Sequence, residues 1–208
     1  VRDLLALLRQ SLAGLRVLVA ATLLLGVAYP LVVTGIAQVA VPWRADGSLV
    51  TAAGQHTTDA DDAVGSVLLG QATDDDTLFQ PRPSAAGDGW DGLASGGSNL
   101  GPESPELLAL VDERRAEVAA REGVDPAAVP PDAVTASGSG LDPAISPAYA
   151  ALQVPRVAAA SGLDEAEVRD LVADHTSGRT LGVLGEPRVD VLELNIAVLA
   201  ARDAGAGD

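Results

Sequence analysis

The sequence predicts an α+β protein: one N-terminal transmembrane helix followed by a small extracytoplasmic α+β domain. Three observations carry this expectation. Val17 to Val41 contains no charged residue. The rest of the chain mixes short apolar runs bounded by glycine with helical patterns that carry their own caps. The charges are split unevenly around the apolar run. The expected division is residues 1–16 as a cytoplasmic N-terminus, 17–41 as the membrane helix and 42–208 as the outer domain.

The apolar run comes first. At about 1.5 Å per residue its 25 residues rise roughly 37 Å, against a hydrocarbon core of about 30 Å. Arg16 closes one end, and Pro42, Trp43 and Arg44 close the other. A cleaved signal peptide has an apolar stretch of about 7–15 residues, much shorter than this one, so an uncleaved anchor is expected. Leu4, Leu5, Leu7, Leu8, Leu12 and Leu15 extend an amphipathic pattern upstream, which predicts one continuous helix. Within the span, Pro30 removes a backbone donor and leaves a carbonyl near Gly26 without its usual partner. Lipid satisfies neither that carbonyl nor the Tyr29 hydroxyl. Thr22 and Gly26 form a small-xxx-small pair suited to close helix approach. Thr22, Gly26, Tyr29 and Pro30 are therefore expected to pack on other membrane helices.

Beyond the span, turn signals stand at Asp46-Gly47 and Ala53-Gly54, and Ser48 to Val50 can begin a strand. Val64 to Gln71 reads as a second strand. Asp74, Asp75 and Asp76 lack the alternation of a calcium loop and read as a solvated turn. Residues 79–102 are rich in Gly, Pro, Ser and Asp, so they read as loop. That loop holds Phe79, Arg82 and Trp90 in a chain with few aromatics, followed by the glycine-rich turn Ser95, Gly96, Gly97, Ser98, Asn99. These eight residues form the candidate docking loop.

A helix capped by Ser104 and Pro105 follows, with Leu107, Leu110, Val111 and Val118 on one face, and ends near Gly123. Residues 127–131 are a proline-broken connector, and Val134 can close a strand before the irregular glycines 138 and 140. Ser146-Pro147 starts a helix that Pro155 either kinks or divides before Gly162 stops it. Asp164 with Glu167, and Asp190 with Glu193, are capping-box patterns opening two more helices. Val168, Leu171 and Val172 should face inward in the first; Leu192, Ile196 and Leu199 in the second, which should run to about Arg202. Thr180 to Leu184 reads as a short strand, and the tail from Ala204 as disordered.

Charge and composition exclude several classes. Residues 1–16 hold Arg2, Arg9 and Arg16 against Asp3, whereas residues 44–208 hold 10 Arg against 28 Asp or Glu. Basic flanks stay in the cytoplasm, so the acidic domain is expected outside the cytoplasmic membrane in a single-pass topology. So acidic a domain disfavours nucleic acid as a partner. With no lysine, neither a Walker A loop nor a phosphorylation-site Asp-Lys-Thr exists. With no cysteine, there are neither disulfides nor thiolate metal sites, and His56 and His175 share no ligand spacing. A hydrolase would need a Ser-His-Asp set; Ser139 and His175 are possible members, but nothing in their spacing supports one. Position 1 is Val and no methionine occurs, which fits a GUG-coded start or a place inside a longer chain.

Several segments then match a family in order: Tyr29-Pro30, ADGSLV (45–50), VGSVLLGQ (64–71), FQPRPSA (79–85), SGGSNLGP (95–102), VTASGSGLDPAISP (134–147), QVPRVA (153–158) and LGEPRVDVLELNIA (184–197). Together they resemble the C subunit of the bacterial Kdp potassium-transporting ATPase. Asp46 stands where that family commonly has Asn, and Gln80-Pro81 where His-Gly is often seen. The resemblance implies a non-catalytic subunit that assembles with a channel-like potassium-binding subunit, a P-type ATPase subunit and a small single-span subunit. It implies no tightly bound cofactor; ATP would act through the ATPase subunit. A catalytic-chaperone role, raising that subunit's ATP affinity, would place Gln153 at the nucleotide. The charge asymmetry opposes direct contact, because it puts Gln153 outside while ATP is inside.

Overall fold

Pro30 sets the shape of the N-terminal helix. In the computed structural model, which describes residues 2–205, α1 (Arg2–Ala21) passes into a π-helical segment (Thr22–Ala28) and then α2 (Tyr29–Ala40). Regular helix would direct an N–H from position 30 to the Gly26 carbonyl, and proline has none. The chain widens instead. The Tyr29 N–H bonds the Leu24 carbonyl, five residues back, as π-helical turns do. The expected continuous helix is present, with a widened turn at Thr22–Ala28. Asp3–Ala40 is long and apolar enough to cross a membrane. A short helix, α3 (Pro42–Ala45), follows, and the Gln38 amide bonds Asp46 across it at 2.7 Å.

The chain divides into two compact units, Val1–Ser48 and Leu49–Asp208. The second unit holds two small antiparallel sheets. The first has the order β2-β1-β3, from β1 (Leu49–Thr51), β2 (His56–Thr57) and β3 (Ala63–Ser66), with Val50 opposite Gly65. The strand expected over 64–71 is thus displaced and short. Gly65 explains one constraint on it: a Cβ there would lie 2.3 Å from the Gln71 side chain. Helix α4 (Pro105–Glu122) starts at the Ser104 cap and stops at Gly123, whose φ of 68° suits glycine. Two 3-10 turns (Pro126–Ala128 and Pro131–Ala133) fill the connector, so Val134 closes a turn rather than a strand.

The second sheet has the order β4-β6-β5, from β4 (Ala144–Ile145), β5 (Thr176–Ser177) and β6 (Arg188–Asp190). Between β4 and β5 lie α5 (Pro147–Ser161) and α6 (Glu165–Asp174). Helix α5 is a single helix that contains Pro155. Its first turn is held twice: Ser146 caps Tyr149, and Asp132 accepts from the Ser146 N–H and hydroxyl at 2.7 and 2.8 Å. Asp164 precedes α6 without making a side-chain cap bond, so the expected capping box is not formed there. The strand expected at 180–184 is instead the end of a β5–β6 hairpin, where Thr180 and Leu184 form one bridge and Leu181 has φ of 54°. Helix α7 (Val191–Gly205) extends past the expected end, taking in Ala204 and Gly205; the rest of the expected tail lies outside the described residues.

The core joins α4, α5, α6, α7 and the second sheet through Phe79, Val118, Ile145, Tyr149, Val157, Val168, Val189, Leu194 and Val198. Val168 and Val172 point inward as expected. On α7 the core face is Val191, Leu194 and Val198; Ile196 is also buried, while Leu192 and Leu199 are only half-buried and line a cleft of about 340 Å³. Ile196 is thus buried as expected, while the face that joins the main core is turned round to Val191, Leu194 and Val198. Continuous Val-Leu content on α7 leaves the phase ambiguous, and Asn195, a polar residue turned inward, breaks the usual rule.

Candidate functional site

The candidate docking loop is held by side-chain amides. The Asn195 amide brackets Phe79, accepting from its N–H at 2.8 Å and donating to its carbonyl at 2.9 Å. One residue on, Gln153 does the same for Gln80, at 2.7 and 3.2 Å. Two helices, α5 and α7, thus each supply a side chain that pairs with the loop backbone as a neighbouring strand would. Phe79 is completely buried in the core. That corrects its placement among docking residues: it anchors the loop and is not on its surface.

Gln153 is also completely buried. Its carbonyl oxygen accepts from Arg156 at 2.8 Å as well as from Gln80. Arg156 donates onward to the Leu78 and Asp76 carbonyls and to Glu122. The Glu122 carboxylate is wholly buried between Arg156 and Arg121, each at 2.8–2.9 Å. A buried carboxylate is tolerated only when paired and hydrogen-bonded, and two guanidiniums do this here. Arg121 in turn reaches the Tyr149 hydroxyl at 2.9 Å, and burial pushes that phenol's pKa upward against the opposing Arg121 charge. One network thus ties α4, α5 and residues 76–80 together.

Downstream, the loop crosses the second glycine-rich motif. The Ser84 hydroxyl donates to the Gly140 carbonyl and accepts from the Ala86 and Trp90 N–H groups. The Gly96 N–H and the Ser95 hydroxyl both donate to the Ser139 carbonyl, at 2.8 and 3.0 Å. Gly140 has φ of 67°, and a Cβ there would sit 2.6 Å from the Ala86 nitrogen and the Gly96 oxygen. The glycines serve this close crossing of two chains. Gly97 packs against Gly138 in the same crossing, leaving Ser98 and Asn99 exposed at its edge.

Arg82 pairs with Asp142 at 2.8 Å and reaches the Thr135 carbonyl. Its Nε is buried without a hydrogen-bond partner among the described residues. Trp90, half-buried with φ of 52°, shares with Arg82 a cleft of about 200 Å³ that Arg114, Arg121 and Tyr149 also line. Thr22, Gly26, Tyr29 and Pro30 all fall in or beside the widened turn of the span. The hydrolase pair is not assembled: Ser139 bonds Leu141 and Ser137, while His175 caps α6 through the Leu171 carbonyl.

Sequence reasoning missed the hairpin between β5 and β6. Leu181, Val183 and Leu184 are 86%, 74% and 59% exposed at its end, with Arg179 paired to Glu186 at its base. The signal was available: an apolar Leu-Gly-Val-Leu set between turn-forming glycines is more than a strand needs. Leu93, in the docking loop, is fully exposed and was also not singled out.

Comparison with known proteins agrees with the motifs. Residues 11–200 match the family model described as KdpC, K+-transporting ATPase, c chain. A Potassium-transporting ATPase KdpC subunit from Kineococcus radiotolerans is 57% identical over 195 residues, covering 94% of this chain and 95% of the relative. The protein of that name from Sorangium cellulosum is 54% identical, covering 96% of this chain and all of the relative. That from Mycobacterium bovis is 47% identical, with coverage of 91% and 97%. With a match over nearly its whole length and relatives at this identity, the chain belongs to the KdpC family of potassium-transporting ATPase subunits.

Proposed function

We propose that the chain is a non-catalytic, assembly-stabilising subunit of an ATP-driven potassium-uptake complex. Its span keeps the N-terminus inside the cell. Residues 49–208 lie outside the cytoplasmic membrane and dock on the channel-like subunit. The P-type ATPase subunit and the small single-span subunit complete the assembly, and the widened turn around Thr22, Gly26, Tyr29 and Pro30 meets partner helices in the membrane. The observation that carries the docking reading is the display of apolar side chains on anchored loops, with Leu93 fully exposed and Leu181 86% exposed. Exposed apolar clusters of this kind mark protein contacts. The acidic surface would enrich cations nearby, in a salt-dependent way.

Burial of Gln153 favours this reading over direct ATP contact. To touch a nucleotide, its amide would have to leave Gln80 and Arg156 and open the core. The experiment is topological. The chain lacks cysteine, so Ser98→Cys gives a single exposed thiol. Labelling by an impermeant maleimide in intact spheroplasts is expected; labelling only after lysis overturns the outside placement.

A further inference from the structure

The cleft beside Trp90 gathers three arginines in an acidic unit, two of them already paired: Arg82 with Asp142 and Arg121 with Glu122. Arg82, Arg114 and Arg121 line it, with Glu117 as its one acidic residue. These are three of the nine arginines in residues 49–208, which hold 27 carboxylates. Their donors are only partly used. A guanidinium has five N–H donors. Arg114 gives one to the Val134 carbonyl at 3.3 Å and has no carboxylate partner among the described residues. Arg121 uses its Nε on Glu122 and one N–H on Tyr149. Arg82 spends two donors on Asp142 and the Thr135 carbonyl, and its buried Nε has no hydrogen-bond partner among the described residues.

Apart from Gln80, the rest of the wall is largely apolar: Pro81, Pro83, Val118, Ala133 and the rings of Trp90 and Tyr149. Guanidinium forks fit carboxylate and phosphate alike, but this wall has neither the glycines nor the serines of a backbone phosphate nest. Planar guanidiniums beside apolar walls suit a planar carboxylate on a hydrocarbon stem.

We propose that this cleft binds a carboxylate carried on an apolar stem, with Arg114 as its principal ion partner, Trp90 packing on the stem and Glu117 weakening binding by repulsion. The carboxylate comes either from a Glu or Asp side chain of a partner subunit or from a free organic acid. The site is independent of the topology proposed above.

Trp90 reports on it directly. The chain has two tryptophans, so a Trp43→Phe full-length chain in detergent leaves one indole. Hexanoate should change its fluorescence saturably, while hexanamide, at the same ionic strength, should not. Arg114→Gln should weaken hexanoate binding roughly ten-fold or more, as loss of a charge-assisted bond does. Glu117→Gln should strengthen it, with the unfolding midpoint of both variants close to the parent's. Equal responses to acid and amide, no saturable response, or an unaltered Arg114→Gln titration would each overturn the proposal. Repeating the titration on the assembled complex separates the sources: loss of the response means a partner side chain fills the cleft, and a retained response means a free acid does.

Discussion

Gln153, which the resemblance would place at a nucleotide, is completely buried and bonded to the loop backbone. Gln153→Leu would strand the Gln80 N–H and carbonyl and one Arg156 donor in the interior. Each unpaired buried group costs about 1–3 kcal/mol, so denaturant unfolding of the full chain should show a loss of about 2 kcal/mol or more. MgATP should leave the wild-type midpoint unmoved, since a ligand that bound the folded chain would raise it. Asp190 gives a pH signature. Burial, then the neighbouring Glu193 charge, pushes its carboxyl from 3.8 up to about 6, against the capping Glu193 and Leu192 N–H groups and Arg188. A raised folded-state value means the folded chain holds a proton that the unfolded chain has lost. This contribution to stability is therefore full below pH 3.8 and lost as pH rises through 6. The melting temperature should carry a decline between about pH 4 and 6 that Asp190→Asn removes, because Asn keeps the shape of the side chain but does not ionise. An identical pH profile in the variant would refute the assignment. The helix start after Asp190 was legible in its spacing from Glu193. Its burial was not, because spacing carries no information about what packs over a helix start.

At the scale of elements, helix boundaries were legible wherever a local rule sets them: Ser104-Pro105 and Gly123 around α4, Ser146-Pro147 and Gly162 around α5. The strands were not, since β2 and β5 have two residues each and exist only through pairing with β1 and β6. The Phe79 anchor was hidden for the same reason: its amide partner is 116 residues away. Pro30→Ala restores an N–H to position 30, so the widened turn at Thr22–Ala28 should tighten to regular helix. Shortened distances between spin labels at Leu18 and Ile36 would not occur; tightening lengthens the helix, and an unchanged distance would count against proline as the cause. In the same turn, Gly26→Leu should lower recovery of the complex more than Val32→Leu, and equal recovery would show that the span only anchors. Gly140→Ala places a methyl 2.6 Å from two backbone atoms and must part the crossing of residues 84–97 with 137–141. Faster proteolysis within 84–99 is the expected readout.

For the whole molecule, the second unit separates what holds it together from what it displays. Phe79, Asn195, Gln153, Arg156 and Glu122 are inward, fixing loops whose outer residues contribute little to that core. The β5–β6 hairpin shows the division most sharply. Arg179–Glu186 and the Thr180–Leu184 bridge hold its end, while Leu181, Val183 and Leu184 project away from any packing in the unit. Side chains this exposed add almost nothing to folding, so replacing all three with serine should move the unfolding midpoint little. Phe79→Ala, by contrast, should cost about 3–5 kcal/mol, as loss of a large core side chain does. If the hairpin is the surface that meets the channel-like subunit, the triple-serine chain should fold normally yet co-purify poorly with it, the loss being in binding alone. The pair of measurements distinguishes the cases. A stable triple variant recovered with its partner at wild-type yield would remove the hairpin from the interface and leave docking to the exposed edge of the Ser95–Asn99 loop.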